Sequence, residues 1–487
     1  MIRPVAILLA ASPAVADPLF EDRSAGLPNH IYGGGWEHFV GGGVAVFDCN
    51  GDDLPDMFAA GGENPAALMV NQGNFQFTAA PFVPITGVTG AFPLDINADG
   101  FMDLFVMRVG KNRLMMGRDD CRFAEGSLLP PADDWTTAFS AWWEDDSLKM
   151  AIGNYVDRSD PEGPFGACDD NYILRQGQGD YVATPLTPGF CPLSMLAAND
   201  ARGRPTLRIS NDRHYYVRGG FEQMWDIADQ RFLGAEDGWQ NVSLWGMGIA
   251  SRDLTGDGRD EVMLTSMGDQ LMQIAGDDGT YAAAPFTIGT YAQRPHTGDD
   301  GRPSTGWHAE FADVDNDGRA DLFIAKGNVD QMPGLAIKDP NNLLIQNADG
   351  TFRETAQQAG VATKERSRGA ALADFDGDGR LDLVVMNRRA PMELYRNITQ
   401  DTGNWLAVAL SQSGANVNAV GATVIATAGD LRQSQQLTVG GGHAGGKAVP
   451  LHFGLGDAAE AVITVRWPDG AETTHPATAG QVINLTR

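Results

Sequence analysis

Residues 313–321 read DVDNDGRAD, and this acidic nonapeptide is the most informative stretch of the sequence. Four aspartates crowd into nine positions, where their like charges repel unless a cation lies among them. A second copy, DFDGDGRLD, occupies residues 374–382. Both copies have oxygen-bearing side chains at positions 1, 3, 5 and 9 and a glycine at position 6. Because glycine permits a sharp turn, the pattern indicates a loop that folds around a hard cation.

Three more stretches follow this pattern: DCNGDDLPD at 48–56, where Asp53 replaces the glycine, DINADGFMD at 95–103 and DLTGDGRDE at 253–261. Ca²⁺ takes six to eight oxygen ligands, and alternate residues of a tight loop direct their side chains to one point. We therefore predict about five structural Ca²⁺ ions, with solvated acidic turns as the alternative interpretation. The predicted metal ligands are Asp48, Asn50, Asp52, Asp56, Asp95, Asn97, Asp99, Asp103, Asp253, Thr255, Asp257, Glu261, Asp313, Asp315, Asp317, Asp321, Asp374, Asp376, Asp378 and Asp382.

The residues around the loops predict strands rather than helices. An EF-hand requires a glutamate at position 12 of its loop, but that position holds Ile324 in one copy and Val385 in another. Short apolar runs follow the loops, such as LFIA after Asp321 and LVVM after Asp382. Apolar runs of this length are typical of buried strands. The loops therefore join consecutive strands of a sheet.

Two degenerate copies extend the repeat. WWEDDSLKMAIGNY at 142–155 keeps an acidic turn and the following strand, but Ala141 stands at the first ligand position. AANDARGRPTLRISND at 197–212 has Ala198 and Thr206 at the outer ligand positions. We predict no metal at either copy. With them, seven units begin at residues 48, 95, 141, 198, 253, 313 and 374.

Each unit contains a predicted hairpin, and the units together predict a ring of sheets. LMVNQGNFQF at 68–77 and LLIQNADGTF at 343–352 each place a glycine-containing turn between apolar stretches. Four short strands per unit, repeated seven times, are typical of a seven-bladed β-propeller. Glycine-rich runs before the metal loops fit the crowded innermost strands. Residues 20–27 resemble the last strand of a unit, so we predict that they complete the seventh blade.

The periodicity changes after residue 402, where WLAVAL, ATVIATA, QQLTV, LHFGLG, AVITVRW and VINL predict the strands of a separate domain. The predicted fold class is all-β: a seven-bladed β-propeller with calcium-binding loops plus a small C-terminal β domain. The predicted boundaries are a signal peptide at 1–16, the propeller at 17–402 and the C-terminal domain at 403–487.

The nonapeptide loops, together with NWLAVAL at 404–410, VGATV at 420–424, LHFGLG at 451–456 and VRWPDG at 465–470, resemble a known arrangement. The chain looks like an FG-GAP/VCBS-type propeller followed by an ASPIC/UnbV domain, as in the cartilage acidic protein 1 family. The resemblance implies extracellular, calcium-dependent interaction without a well-established reaction. It also implies Ca²⁺ in the five intact loops, as in similar loops of integrin α subunits. It assigns no role to GGGHAGGK at 440–447, where we expect a more polar segment in the family.

The N-terminus and the cysteines predict export. MIRPVAILLAASPAVA at 1–16 has the layout of a secretory signal cleaved near Ala16, and its apolar run is too short to span a membrane. The four cysteines lack the C-x-x-C spacing of a zinc site and can pair in an oxidising compartment. Cys168–Cys191 is the favoured pair, and Cys49–Cys121 follows by elimination, with free thiols as its alternative.

The formal net charge of −28 argues against nucleic acid and anionic membrane surfaces as partners, because both require a basic footprint. We predict a secreted, periplasmic or extracellular binding or adhesion module without membrane insertion, whose partner is a protein or glycan at the cell surface or in the periplasm. The alternatives are a propeller lyase or hydrolase acting on polysaccharide, and an accessory factor for the maturation of another exported protein.

The sequence contains no H-E-x-x-H or G-x-S-x-G motif, and it predicts no catalytic residue. His38, His214 and His308 are the candidates for a site of another kind. They could meet in a central channel as ligands of a second metal or as a catalytic group. Packing between blades is the alternative interpretation.

Overall fold

The computed structural model describes residues 17–127, 129–130, 133–159, 167–176, 181–212, 220–291 and 301–487. Regular structure in these residues is almost entirely β, as predicted. The predicted signal peptide and His214 lie outside the described residues. No helix in the described ranges is long and apolar enough to cross a membrane. The helical segments are α1 (Ala356–Ala359) and 3-10 turns at Ser24–Gly26, Trp36–His38, Ala235–Asp237 and Phe286–Ile288.

The strands up to residue 397 form seven sheets of antiparallel neighbours, which we call the propeller-like domain. Strand β1 (Phe20–Asp22) comes first in the chain. Sheet 1 has β2 (Val44–Phe47), β3 (Asp56–Ala59), β4 (Ala67–Asn71) and β5 (Phe77–Ala79). Sheet 2 has β6 (Val88–Leu94), β7 (Asp103–Arg108), β8 (Arg113–Arg118) and β9 (Arg122–Glu125). Sheet 3 has β10 (Thr136–Glu144), β11 (Ser147–Asn154), β12 (Asn171–Gln176) and β13 (Tyr181–Leu186).

The remaining sheets of this domain repeat the same order. Sheet 4 has β14 (Pro192–Asn199), β15 (Pro205–Asn211), β16 (Gln223–Asp226) and β17 (Arg231–Phe232). Sheet 5 has β18 (Gly246–Arg252), β19 (Glu261–Ser266), β20 (Leu271–Ala275) and β21 (Tyr281–Ala283). Sheet 6 has β22 (Gly306–Ala312), β23 (Asp321–Lys326), β24 (Asn342–Gln346) and β25 (Phe352–Glu354). Sheet 7 has β26 (Ser367–Ala373), β27 (Asp382–Asn387), β28 (Glu393–Asn397) and, at its edge, β1.

Burial decreases from the first strand of a sheet to the last. Strand β26 is buried along its whole length, whereas β5 and β25 are partly exposed. The first strands of neighbouring sheets pack against one another, and β2 also packs against β26. The small and apolar residues of the predicted inner strands therefore lie where seven strands approach each other. The predicted hairpins are present as β4–β5 and β24–β25.

The N-terminal strand β1 pairs with β28 of sheet 7, as we predicted from the sequence of residues 20–27. Phe20 lies opposite Asn397 and Asp22 opposite Tyr395 in an antiparallel register. Phe20 is buried in the same apolar cluster as Tyr395. Residues far apart in the chain thus complete one four-stranded sheet.

The C-terminal strands form two further sheets with their own core. Their strands are β29 (Asn404–Ser411), β30 (Thr423–Ala428), β31 (Leu431–Gln436), β33 (Leu451–Gly456), β34 (Glu460–Arg466), β35 (Glu472–Thr478) and β36 (Gln481–Thr486). Strand β32 (Lys447–Ala448) instead joins sheet 1 beside β2. One sheet has the order β33-β29-β36 and the other β31-β30-β34-β35. Leu406, Val424, Phe453 and Ile463 pack between them.

Two details of the predicted C-terminal strands are wrong. The strand predicted at QQLTV ends at Gln436, because the following residues leave the domain. Strand β35 was not predicted, since its sequence ETTHPAT is mostly polar and has no continuous apolar run. It pairs with β34 at the edge of the sheet, where alternate residues are exposed.

Residues 438–448, which we call the axial segment, run from the C-terminal domain along the inner strands of the propeller-like domain. Val439 pairs with Ala141 of sheet 3, Gly440 with Leu196 of sheet 4 and Gly442 with Ile249 of sheet 5. Gly445 then pairs with Ala91 of sheet 2, and strand β32 pairs in parallel with β2. The segment therefore contacts inner strands from across the domain.

The axial segment explains why the inner strands need glycine. A Cβ atom added to Gly43 would lie 1.8 Å from the Ala444 carbonyl oxygen, and one added to Gly90 would lie 1.6 Å from it. His443 is fully buried, and its ring packs at a tilt against Trp307 with 5.1 Å between the ring centroids. The inner strands are thus packed against a segment from the C-terminal domain rather than around an open channel.

Both predicted disulfides are present. Cys168 and Cys191 are joined, and Cys49 and Cys121 are joined. The second bond links the first metal loop to the turn between β8 and β9 of the neighbouring sheet. Asp56 lies near this bond, but disulfide sulfurs are not available as metal ligands.

Candidate metal centres

Each of the five intact loops connects the first and second strands of a sheet, and the carboxylate at position 1 closes the turn. Asp313 accepts hydrogen bonds from the backbone N–H groups of Gly318 (2.8 Å) and Asp317 (3.1 Å). Asp374 accepts equivalent bonds from Gly379 (2.8 Å) and Asp378 (3.1 Å). The first carboxylate therefore faces the interior of its own loop.

The carboxylate at position 9 fastens the loop to the third strand. Asp321 accepts from the backbone N–H groups of Val314 (3.0 Å) and Gln346 (2.9 Å). Asp382 does the same with Phe375 (2.9 Å) and Asn397 (2.8 Å). Corresponding bonds hold Asp56, Asp103 and Glu261. One sequence pattern thus produces one hydrogen-bonding scheme five times.

Two loops bring three predicted carboxylates into one cluster. One carboxylate oxygen from each of Asp313, Asp315 and Asp321 lies within 4.8 Å of the others, and the same holds for Asp374, Asp376 and Asp382. Such clusters can hold a metal ion. Most of these side chains are buried, so their charges are poorly solvated.

Burial without a counter-charge raises the pKa of the predicted ligands. It raises the pKa of Asp56 and Glu261 to about 7, and that of Asp103, Asp315 and Asp374 to about 6. The pKa values of Asp313, Asp321 and Asp382 lie well above the ordinary range for the same reason, with further contributions from neighbouring carboxylates. A bound cation would supply the charge that these groups lack.

Unpartnered oxygen atoms show that these loops fit a hard cation. Asp95 Oδ1, Glu261 Oε1, Asp315 Oδ2 and Asp376 Oδ1 are buried, and none has a hydrogen-bond partner among the described residues. These four atoms come from four different loops. Buried polar atoms in native proteins nearly always have a partner, and carboxylate oxygens are the ligands that Ca²⁺ and Mg²⁺ prefer.

Arginines contact some of the predicted ligands. Asp317 pairs with Arg319, and Asp378 pairs with Arg380 two residues further on. Asp376 Oδ2 lies 2.7 Å from Arg396. We did not predict these ion pairs from the sequence, although an arginine stands at position 7 of three loops. At positions 3 and 5, the predicted ligands therefore share their oxygens with arginine.

The two degenerate units accommodate their acidic side chains differently from the intact loops. In sheet 3, Asp145 and Asp146 form a two-residue turn with positive φ angles, and Ala141 lies within strand β10. In sheet 4, Asp200 Oδ2 accepts two hydrogen bonds from the Arg204 guanidinium, at 3.0 Å and 2.7 Å. Neither unit gathers the carboxylates of a metal site.

The C-terminal domain covers three of the five loops. Gly456 N–H donates to the Asn316 carbonyl (2.9 Å), and His452 Nε2 lies 2.7 Å from Asn316 Oδ1. Arg432 donates to the Gly256 carbonyl (2.8 Å), and Trp405 packs against Gly379. Loops 253–261, 313–321 and 374–382 thus support the docking of this domain, whereas Asp52 and Asp99 of the other two loops are exposed.

The structure does not bring His38 and His308 together. His38 Nδ1 lies 3.9 Å from Glu63, whereas His308 Nε2 lies 3.4 Å from Glu310, and His308 Nδ1 accepts from the backbone N–H of His443. The two histidines therefore have different partners. Trp307, which precedes His308, is fully buried.

Comparison with known families follows the two domains. A model described as "FG-GAP-like repeat" matches residues 48–106 and 327–385, and one described as "ASPIC and UnbV" matches residues 412–487. The chain thus carries FG-GAP-like repeats and an ASPIC/UnbV match, and it is similar to cartilage acidic protein 1. The human protein of that name is 26% identical over 175 residues, which cover 35% of this chain and 26% of the human protein. The mouse protein is 27% identical over 163 residues, covering 33% of this chain and 25% of its own length.

The matched part thus spans about a quarter of the curated relatives. Among solved structures, a lectin from Burkholderia pseudomallei covers 75% of this chain and 98% of its own at 10% identity and a TM-score of 0.49. An Agrocybe aegerita protein that recognises non-reducing terminal N-acetylglucosamine covers 80% of this chain and 92% of its own at 16% identity and a TM-score of 0.30. These low TM-scores carry no argument about function.

Proposed function

We propose that this protein is a calcium-binding, seven-bladed β-propeller that acts as an exported binding or adhesion module. The observation that carries the proposal is the buried carboxylate oxygen without a partner in each of four equivalent loops. Buried ligand oxygens lack a partner at position 1 of one loop, position 3 of two loops and position 9 of a fourth. Four such atoms in equivalent loops favour a bound cation in each loop over four independent defects.

Calcium is favoured over other cations by the ligand types and the loop length. Each loop offers carboxylates and backbone carbonyls, and three loops add the amide or hydroxyl oxygen of Asn50, Asn97 or Thr255. All of these are hard oxygen ligands. Mg²⁺ demands a near-ideal octahedron and retains water, while Ca²⁺ accepts six to eight ligands in irregular geometry. The bound ions would clip the first hairpin of each blade.

The ring of seven blades is supported by the packing of the inner strands. Each first strand packs against its neighbours, including β2 against β26, and β1 supplies the outer strand of the last sheet. Closure by the N-terminus leaves no open edge between the first and last blades, which is the physical advantage of a ring.

Export and a surface partner complete the proposal. The two disulfides favour an oxidising compartment, and the strongly negative charge disfavours nucleic acid. We infer that the partner is a protein or a glycan of the cell surface or periplasm. Calcium would serve this interaction indirectly, since three metal loops hold the C-terminal domain in place.

Native mass spectrometry of the mature protein tests the calcium assignment. We expect about five Ca²⁺ per chain, one per intact loop. Titration with Mg²⁺ is the control, and it should displace few of these ions. A protein that retains no Ca²⁺ after equilibration with millimolar calcium would overturn the proposal.

Deletion of residues 17–28 tests the closed ring. We expect the truncated protein to melt well below the intact one, because β28 loses its partner and Phe20 leaves the core. Glu21→Gln, an exposed change on the same strand, should melt like the native protein. Equal melting temperatures for the deletion and the native protein would refute closure.

Retention of a partner tests the binding function. We expect the calcium-loaded protein, immobilised and exposed to defined cell-surface glycans and periplasmic proteins, to retain a ligand that the chelated protein releases. A ligand chemically altered on release, rather than recovered intact, would instead indicate an enzyme.

A further inference from the structure

A cleft of about 280 Å³ separates the propeller-like domain from the C-terminal domain. Its walls come from the inner strands, from the axial segment and from β29 and β33. Apolar side chains, including Phe92, Leu196, Ile249 and Leu451, form much of the lining. The volume is close to the lower end of the range for small-molecule sites, which are usually apolar with a few polar groups.

Arg252 lies at the end of β18 and lines this cleft. Arg252 is only 7% exposed. Its guanidinium nevertheless makes no hydrogen bond, and no ion pair within 4.0 Å, among the described residues. Its nearest aromatic contact is the Phe453 ring, with Cζ at 5.9 Å from the centroid. Burial lowers the pKa of Arg252 to about 10, so the group remains charged at neutral pH.

Two other deeply buried arginines contact protein acceptors directly. The Arg368 guanidinium donates to the carbonyl oxygens of Phe39 (3.0 Å) and Val329 (2.7 Å), among others. Arg388 lies 3.0 Å from an Asp330 carboxylate oxygen. Arg252 therefore differs from them: it presents N–H donors to a cleft instead of to protein acceptors.

Several other polar side chains of the cleft, including its lysine, already have partners. Lys447 pairs with Glu310 and donates to the Leu372 carbonyl (3.1 Å). Gln436 Oε1 accepts from Asn199 N–H (2.9 Å), and Asp260 accepts from Ser251 Oγ (2.9 Å). The Arg252 guanidinium is thus the charged group that remains available for a ligand among the described lining residues.

We propose that this cleft binds a small monocarboxylate with an apolar body, whose carboxylate pairs with the Arg252 guanidinium. The planar fork of arginine matches the two oxygens of a carboxylate. The apolar walls would then cover the rest of the ligand. The site uses both domains, so it exists only while the C-terminal domain is docked.

Nearby charges restrict the ligand to a single negative charge. Asp260 and Asp313 also line the cleft and act on Arg252 electrostatically. A dianion such as phosphate or succinate would bring a second charge toward these carboxylates without a second free cation to pair with it. The structure therefore favours a monoanion over a dianion.

Isothermal titration of the full-length, calcium-loaded protein with benzoate, hexanoate, succinate and phosphate tests the proposal. We expect benzoate or hexanoate to bind and the two dianions to bind at least tenfold more weakly. Arg252→Met keeps the length and apolar stem of the side chain and should weaken monocarboxylate binding at least tenfold. Arg252→Lys keeps the charge but loses the fork, and it should give an intermediate affinity.

Arg466→Met is the matched control, since Arg466 is an exposed arginine paired with Glu472 in the C-terminal domain. It should bind the monocarboxylates like the native protein. Arg252→Met should retain the native number of Ca²⁺ ions, which separates this test from that of the metal loops. No binding of either monocarboxylate to the native protein, unchanged binding by Arg252→Met, or equal binding of phosphate would overturn the proposal.

Discussion

Loops 313–321 and 200–204 both connect the first and second strands of a sheet, in sheets 6 and 4, but they neutralise their acidic residues in different ways. In loop 200–204, Arg204 binds Asp200 directly and also lies 3.6 Å from Asp226. In loop 313–321, the three clustered carboxylates have no such arginine among them, and Asp315 Oδ2 has no partner. In the first loop an arginine binds the buried carboxylate that begins the turn. In the second loop Arg319 pairs with Asp317, and the three clustered carboxylates have no direct cationic partner among the described residues.

This difference shows that the turn between the first and second strands of a sheet can form without a metal. Asp200 still organises its turn, because its Oδ1 accepts from the backbone N–H groups of Arg202 and Arg204 (2.9 Å each). What decides the need for a metal is whether an arginine of the loop pairs directly with the buried carboxylate that begins the turn. The predictions below test this contrast, from the largest expected effect to the smallest.

Removal of calcium should produce the largest effect. We expect chelation with EGTA to lower the melting temperature by several degrees or more, because a ligand that binds only the native state at a hundredfold excess over Kd stabilises it by about 2.7 kcal/mol per site. Differential scanning calorimetry with and without chelator measures the shift. If all loops were self-sufficient like 200–204, the two melting temperatures would agree.

The matched variants Asp200→Asn and Asp315→Asn should differ in their calcium dependence. Asp200→Asn weakens the bonds to Arg204, so we expect a loss of about 1–3 kcal/mol with or without calcium. Asp315→Asn removes a predicted ligand, so we expect it to destabilise only the calcium-loaded protein. Urea unfolding under both conditions provides the four comparisons. A calcium-independent loss for Asp315→Asn would contradict the contrast.

The stability of the calcium-free protein should depend on pH through the buried carboxylates of loop 313–321, which provides a further test of the contrast. Burial raises the pKa of Asp315 from 3.8 to about 6, so the folded protein retains a proton that the unfolded chain releases between these pH values. The stability associated with this group is therefore fully present below about pH 4 and is lost as the pH rises to about 6.

This pH effect can be isolated by comparing the native protein with Asp315→Asn in the presence of EGTA. We expect similar stabilities below pH 4 and a growing advantage for Asp315→Asn up to pH 6, measured by urea unfolding. Saturation with calcium should reverse this advantage, because the charged aspartate then binds the ion. A constant difference across the pH range would show that Asp315 does not titrate as its burial predicts.

The smallest effect should be a local one that separates two of the intact loops. Asp376→Ala leaves three carboxylates in loop 374–382, whereas Asp257→Ala leaves two in loop 253–261, where position 3 is the neutral Thr255. Because affinity follows ligand charge, we expect Asp257→Ala to lose one Ca²⁺ and Asp376→Ala to retain it more weakly. Calcium titration of both variants measures this.

Asp277→Ala serves as the control for these two variants, since Asp277 is exposed and pairs with Arg259 from outside the loop. It should keep the native stoichiometry. Equal stoichiometry in Asp376→Ala and Asp257→Ala, or global unfolding of either, would show that carboxylate count does not distinguish the loops.

Much of the candidate site was predictable because its interactions are local. The four ligand positions of DVDNDGRAD lie within nine residues, so spacing alone indicated a turn with converging oxygens. The further bonds to Asp321 and Asp382 come from Gln346 and Asn397, which lie in the third strand of the same repeat. The edge strand β35 was missed for the opposite reason, since its polar alternation is set by one neighbour and by solvent.

By itself, the sequence determined the all-β composition, the repeated acidic loops and the change of domain after residue 402, because apolar periodicity and turn chemistry act over a few residues. Only the tertiary structure decided that residues 438–448 run along the inner strands, where Ala444 approaches Gly43 and Gly90. The tertiary structure also decides that the Arg252 guanidinium lies at a cleft without a partner among the described residues. Both outcomes depend on contacts between residues far apart in the chain, for which no local pattern exists.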